Sequence, residues 1–303
     1  EKEAYYLKNM SWVHECMCRE PRGHNALLGS ILTEAVNEGS AFGVLYLHAN
    51  GLFDGCGDST FGTAAAAVET GLVEAVEPVT HLTMDTVMGP LSVEVEIKDG
   101  VVKEVRYRNL PAYHIASIEI DIDGRGRTPV DISACGGQYF PQFDARKLGI
   151  DVEKANQAGI KEFGRQVTKA LLALPPVNDP ETGNSIQMGQ NNTNVISLFS
   201  KQADQDSYRI ANTAAPDFMG RTPGGLPTGA LMALLHNREE YDPKNTFRNM
   251  SPVGTVFSGT GKPEVLTNGT PALATLVGTK SWLMGIHHFV IDPDDPFPNG
   301  FIL

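Results

Sequence analysis

Cysteine is scarce in this chain, and its scarcity removes several readings at once. Cys16, Cys18, Cys56 and Cys135 are four among 303 residues, too few and too irregularly spaced for a disulfide scaffold. Cys16-Met-Cys18 is C-x-C with no second ligand pair at metal-site spacing, so no structural zinc is expected. Positive charge is also short. Lys and Arg number 24 against 36 Asp and Glu, a net charge of -12. Without a basic run or face, a nucleic-acid partner is not expected. No apolar run approaches the roughly 20 residues of a membrane-spanning helix, and nothing signal-like opens the chain. Reduced thiols in a cytoplasmic protein fit this pattern. The chain opens at Glu1 without a methionine, which suggests a missing upstream segment.

What is present is glycine, 31 residues of it, as many tight turns between short strands require. The length predicts two domains. Strands are predicted at Phe42–His48, Leu91–Ile97, Val101–Arg108, Thr128–Ser133, Asn194–Phe199, Thr255–Phe257 and Ser281–Ile291, with Asp99-Gly100 turning a hairpin. Helices are predicted at Thr60–Thr70, closed by Gly71, at Val152–Leu174 and at Thr228–His236, with a short one within Ala26–Asn37. Pro175–Asn192 reads as a surface loop. Strand, glycine-rich turn and short apolar helix occur twice, at 42–70 and 207–236. Both helices are apolar nearly all round, so each is expected inside its own sheet.

The chemistry is expected at the starts of these two helices, where unpaired N–H groups and a partial positive charge favour an anion. Gly57, Asp58 and Ser59 supply the first such end, and Gly225 and Leu226 the second. Cys56 stands at the first, where the same field is expected to lower its thiol pKa. A thiolate beside a bound carboxylate suggests proton abstraction at the α-carbon. The alternative is a small buried residue in a turn, with Asp58 or Ser59 as an N-cap.

Four blocks then carry a resemblance. Arg19-Glu-Pro-Arg-Gly-His-Asn25, Phe53-Asp-Gly-Cys-Gly-Asp58 with its helix ending Val-Glu-Thr-Gly71, Glu77-Pro-Val-Thr80 and Gly285-Ile-His-His-Phe-Val-Ile-Asp-Pro-Asp-Asp-Pro296 occur in the order of the proline racemase family. The resemblance covers almost the whole chain, short of an upstream strand segment. It implies an α/β (α+β) fold of the diaminopimelate-epimerase type. Two pseudo-symmetric domains, each with a curved sheet around a central helix, would flank the active site. The expected domains are 1–130 completed by 281–303, and 131–280. The resemblance also implies an enzyme that needs no cofactor and no metal, acting on proline or a hydroxyproline-like acid as racemase or epimerase. In the family two cysteines flank the α-carbon.

Carried over by residue, Cys56 matches the first cysteine and Gly57 the glycine after it, while the family's histidine is Asp58. The second motif falls on Gly220-Arg-Thr-Pro-Gly-Gly-Leu-Pro-Thr228. There the aspartate is Gly220, the second cysteine is Gly224, and Leu226 and Pro227 replace Thr and Gly. Thr222, Thr228 and Asp217 are the candidates to face Cys56 instead. In Asp131-Ile-Ser-Ala-Cys-Gly-Gly-Gln-Tyr-Phe140, Tyr139 is the expected pocket aromatic. Glycine has no proton to give, so one-base chemistry, a dehydratase of 3-hydroxyproline, or a non-catalytic binder of small carboxylates stay open. Asp58 is either an amine anchor or an N-cap. His24 is expected to pin a loop, and Arg22 either holds a carboxylate or forms a structural pair. His287 and His288 alternate on a strand, so no shared metal is expected. The expected partner is a small amino-acid or carboxylate ligand, with neither nucleic acid nor membrane, and a homodimer is the assembly to test.

Overall fold

The computed structural model describes residues 1–190, 193–203, 207–214 and 218–302. It divides into one unit of Glu1–Tyr107 with Thr279–Leu303 and a second of Arg108–Gly278. This junction precedes the one expected at 130/131, because the strand at 112–122 pairs along its length with the strand at 126–135.

The first unit runs α1 (Lys2–Asn9), α2 (Trp12–Cys18), β1 (Leu28–Thr33), β2 (Phe42–His48), β3 (Gly51–Phe53), α3 (Gly57–Glu69), β4 (Val79–Thr86), β5 (Gly89–Lys98) and β6 (Val101–Arg108). Its strands are ordered β1-β2-β4-β5-β6, with β3 on β2. The β2 sequence Phe-Gly-Val-Leu-Tyr-Leu-His is apolar without alternation because both faces are covered. Leu45 and Leu47 pack with Tyr6 and Cys18, while Tyr46 bonds Thr60 on α3. The alanines of α3 keep its radius small, and Ala64, Ala65 and Ala67 are buried. Gly71 closes it with φ +75°, the left-handed turn that glycine adopts at least cost.

Two expectations fail here. Ala26–Asn37 holds no helix: Leu28–Thr33 pairs antiparallel with Gly43–His48, so sheet pairing overrides local propensity. Ser281–Ile291, predicted as a closing strand, has no regular structure. Its apolar side chains are exposed throughout, with Met284 94% and Val290 81% accessible. A strand pattern becomes a strand only where a neighbour supplies the ladder.

Asp85 of β4 ties down the 34–41 connection. It accepts bonds from Asn37 Nδ2 (2.9 Å), Asn37 N (2.9 Å), Ser40 Oγ (2.7 Å) and Val36 N (2.6 Å). These donors, the Asn37 side chain foremost, hold its carboxyl well below the ordinary 3.8. A depressed carboxyl stabilises the fold above its unfolded pKa and stops doing so as pH falls through its folded one. Asp85→Asn is therefore expected to cost stability at pH 6, and progressively less below pH about 4. Urea melts of both proteins at pH 6 and pH 3 check this; an equal gap at both would refute it.

The second unit runs β7 (Ala112–Ile122), β8 (Gly126–Cys135), β9 (Gln138–Asp144), α4 (Gln157–Leu172), β10 (Val177–Asn178), β11 (Ser185–Ile186), β12 (Ile196–Lys201), β13 (Ser207–Ala214), β14 (Phe218–Met219), α5 (Gly225–Asn237), β15 (Phe247–Met250), β16 (Val256–Val265) and β17 (Pro271–Thr279). Strand order is β17-β16-β15-β13-β12-β9-β8-β7, and Leu273 of β17 meets Ala112 of β7 again. Within this ring lies α5, with Leu231, Met232, Leu234 and Leu235 buried among Phe199, Ile210, Phe247 and Leu273. Amphipathic α4 covers the opposite face, burying Ile160, Phe163, Val167 and Leu171 against Ile132, Phe143 and Leu198.

The duplicated pattern of the sequence is a duplicated topology. In the first unit β1 is antiparallel to β2, β3 folds back on β2, and α3 crosses to β4, parallel to β2. In the second unit β12, β13, β14, α5 and β15 repeat each relation. The two helices have 13 residues each.

Of the predicted surface loop, the described residues 175–190 form more than a loop. Its short hairpin β10–β11 is anchored by Asp179, 1% exposed. That carboxylate accepts bonds from Tyr139 (2.7 Å), Tyr113 (3.0 Å), Thr182 (3.0 Å) and the Glu181 N–H (2.9 Å).

Candidate functional site

Cys56 is the N-cap of α3, with φ −145° and ψ 107°. Gly57, Asp58 and Ser59 form the first turn, so Asp58 lies inside the helix and is not its cap. There its charge complements the helix dipole. The carbonyl of Cys56 accepts the Thr60 N–H at 3.0 Å and the Thr60 hydroxyl at 2.9 Å. Of the four cysteines, Cys56 alone is not buried.

The expected depression of its thiol pKa is overturned. Part of the residue reaches solvent, yet protein surrounds the thiol closely enough to desolvate it. This desolvation first and the Asp58 carboxylate second push the Cys56 thiol up to about 11, against the Ser59 side chain and the N–H groups of Ser59 and Asp58. The helix-end donors are there, but desolvation and a like charge two residues away outweigh them. In this state Cys56 is a protonated thiol.

The start of α5 is built differently. Gly224 is its N-cap, at φ +74° and ψ 135°, and its N–H bonds the Thr222 hydroxyl at 3.2 Å. Gly225 and Leu226 follow as the first helical residues, whose N–H groups have no acceptor within the helix, and Pro227 has no N–H to leave unpaired. A Cβ on residue 224 would stand 2.9 Å from both Cδ and Cγ of Pro227. Gly224 and Pro227 are therefore mutually dependent: the proline ring occupies the space of a side chain at 224.

Three buried asparagines hold this helix end, and nothing in the sequence marked them. Asn212 donates to the Pro223 carbonyl at 2.7 Å, Asn109 to the Gly225 carbonyl at 3.3 Å, and Asn249 to the Thr228 hydroxyl at 3.0 Å. Thr228 is thereby committed, and fully buried; Asp217 lies outside the described residues. The Leu226 side chain lies over Gly136, within 2.8 Å of where a Cβ would be, so Gly136 gives α5 its close seat.

Tyr139 is not beside this helix end. It packs with the α4 core and its hydroxyl bonds Asp179. Strand alternation puts Phe140, its neighbour, on the α5 side with Cys135 and Ala230. Burial raises the Cys135 thiol to about 12; its Sγ would sit 2.9 Å from a Cβ on Gly229, so it packs α5. Arg22 pairs with Asp295 and donates to the Phe297 carbonyl at 3.2 Å, the structural alternative. The His24 ring accepts the Ala26 N–H at 3.2 Å, pinning its loop. Asp292 and Asp295 cap a turn. Among the described residues no three His, Cys, Asp or Glu side chains are grouped to hold a metal, and no helix is long and apolar enough to cross a membrane.

The family model described as proline racemase matches residues 1–302. The proline racemase of Clostridioides difficile is 30% identical over 305 residues, covering 100% of this chain and 89% of the relative. The 4-hydroxyproline 2-epimerase of Streptosporangium roseum is 31% identical over 306 residues, covering 100% and 90%. The trans-3-hydroxy-L-proline dehydratase of Burkholderia ambifaria is 28% identical over 306 residues, covering 100% and 89%. In fold, the chain matches the crystal structure of a probable proline racemase from Agrobacterium radiobacter K84 with TM-score 0.83 and 24% identity, over 99% of this chain and 87% of that one.

Proposed function

This chain belongs to the proline racemase family, and from that premise we propose that it removes the α-proton of proline or a hydroxyproline-like amino acid with Cys56 as thiol base. The family's named activities are isomerisations, with a dehydration as the other. The observation that carries the reading is the placement of Cys56, the one cysteine that is not buried, at the start of an apolar helix.

The roles follow from electrostatics. The substrate carboxylate meets the N–H groups at the start of α3, that of Gly57 among them; the start of α5, at Gly225 and Leu226, offers the same chemistry within its own unit. Asp58 receives the substrate's ammonium. That cation neutralises the like charge which helps to hold the thiol protonated, so binding itself lowers the pKa of the base. The thiolate takes the α-hydrogen as a proton. The electron pair moves into the carboxylate, whose growing charge the N–H groups stabilise. No cofactor enters these steps. Free thiols suit a cytoplasmic setting.

Gly224 favours a second reading, elimination. With 3-hydroxyproline the α-proton goes to Cys56, the Cα–Cβ double bond forms as the β-hydroxyl departs, and the proton taken up by the thiol is passed on to the leaving hydroxide, which departs as water. No thiol at 224 is needed to return a proton.

Deuterium uptake at Cα from proline, 4-hydroxyproline and 3-hydroxyproline tests the proposal, with water loss scored for the last. No exchange with any of them would sink it. Below the thiol pKa each pH unit changes the thiolate fraction about tenfold, so iodoacetamide alkylation of the free protein should climb steadily from pH 7 to 10. Asp58→Asn is expected to speed that alkylation several-fold at pH 8 while raising KM for the amino acid about tenfold. Slower alkylation in this variant would contradict the part assigned to Asp58.

A further inference from the structure

We infer that Tyr46 is a positioning residue for Cys56, acting through the hydroxyl of Thr60; the inference rests on the reading of Cys56 as thiol base. Tyr46 sits in the middle of β2 and is 2% exposed, and Thr60 is 1% exposed. Their hydroxyl oxygens are 2.7 Å apart. Thr60 Oγ1 is also 2.9 Å from the Cys56 carbonyl oxygen, to which it donates. Thr60 has one hydroxyl hydrogen, and the carbonyl takes it, so Tyr46 must be the donor to Thr60. The relay runs one way: Tyr46 O–H to Thr60 Oγ1–H to Cys56 C=O. It is buried from end to end, where aligned hydrogen bonds strengthen one another.

Forming α3 requires only the Thr60 N–H bond to the Cys56 carbonyl. The hydroxyl pair adds a second bond to that carbonyl and braces it against the sheet. A cap residue has non-helical backbone angles with nothing downstream in the helix to set them, so its carbonyl is the natural handle. Holding it fixes ψ at Cys56 and with it the direction of Cα–Cβ–Sγ relative to the N–H groups of Asp58 and Ser59. Those N–H groups lower the thiol's pKa, so a thiol that swings away from them is harder to ionise. Phenylalanine would fill the same core space, and the buried phenol, its own pKa raised to about 12 chiefly by burial, costs desolvation that its one bond offsets.

The experiment follows Cys56 alkylation by iodoacetamide against pH in the full chain, with Tm and the kinetics of Cα deuterium exchange alongside. Tyr46→Phe is expected to slow alkylation about threefold at any fixed pH below the thiol pKa, an upward shift of about 0.5 unit. Thr60→Val slows it at least as much, the double variant no further than Thr60→Val alone, and Thr60→Ser restores the wild-type profile. The turnover number for exchange falls in the same order with KM unchanged. Unchanged alkylation in Tyr46→Phe and Thr60→Val with a lowered Tm overturns the inference, as do additive effects of the two. Should Thr60→Val not fold, Tyr46→Phe decides alone, since it removes one oxygen. If the profiles shift as expected yet Cys56→Ala still exchanges Cα protons, the relay stands and the thiol-base reading falls.

Discussion

Cys56→Ala is expected to reduce α-proton exchange by about a thousandfold or more, toward the upper end of what a positioned general base contributes. Among the described residues no other thiol is placed to share its task. Cys16, Cys18 and Cys135 are buried, and the cap of the second helix is glycine. The loss should fall on the turnover number, with KM little changed, because the helix-end N–H groups and Asp58 do not depend on the thiol. Folding should be almost untouched, since the side chain is small and the residue is not fully buried. Cys135→Ala makes the matching control: a packing defect against α5 lowers Tm, while exchange per folded molecule stays as it was. Isotope exchange followed by NMR separates the cases, and full activity in Cys56→Ala would end the thiol-base account.

Gly224→Cys is expected to damage the protein when made alone and to be tolerated when made with Pro227→Gly. The single change meets two obstacles. A backbone at φ +74°, ψ 135° is a region that side chains enter at about 1–3 kcal/mol. The new Cβ would also be 2.9 Å from two ring carbons of Pro227, which cannot rotate away, and overpacking of this kind costs another 1–3 kcal/mol or so. Replacing Pro227 by glycine removes the ring and frees the first turn to carry the substituted cap into an ordinary conformation. Thermal melts should show a Tm several degrees below wild type for Gly224→Cys and a recovery of most of it in the pair. A single variant as stable as wild type would show that 224 and 227 are not coupled.

Much of the scaffold could be read in advance because each local signal agreed with its surroundings. Phe42–His48 and Val101–Arg108 came out at the bounds their apolar patterns implied. The repeated strand–turn–helix pattern pointed to a duplication that the strand directions bear out. The failures are equally local. Leu28–Thr33 looked helical until β2 offered it a partner, and Ser281–Ile291 looked like a strand but has no ladder. Whether Tyr139 or Phe140 faces α5 depends on a one-residue register that no motif specifies. At the two helix starts, the positions of Cys56, Gly224 and Gly225 were legible because such ends have a sequence signature. The thiol pKa was not, because its sign depends on burial and on where Asp58 points. Asn109, Asn212 and Asn249 were invisible for a related reason: an asparagine acquires its role only when segments far apart in sequence, the β6–β7 connection, β13 and β15, bring it to one helix end.

The ring of strands around α5 also bears on how the chain is made. Leu231, Met232, Leu234 and Leu235 emerge from the ribosome before β16 and β17, whose pairing with β7 at Leu273 and Ala112 closes their enclosure. For roughly forty residues of synthesis the most apolar helix of the molecule has part of its wall missing. Strand pairing over such sequence distances is slow, and exposed apolar surface in that interval invites aggregation. Yield in the cell should therefore respond to chaperone supply and growth temperature, and a chain truncated before β16 should be insoluble even though its α5 is intact.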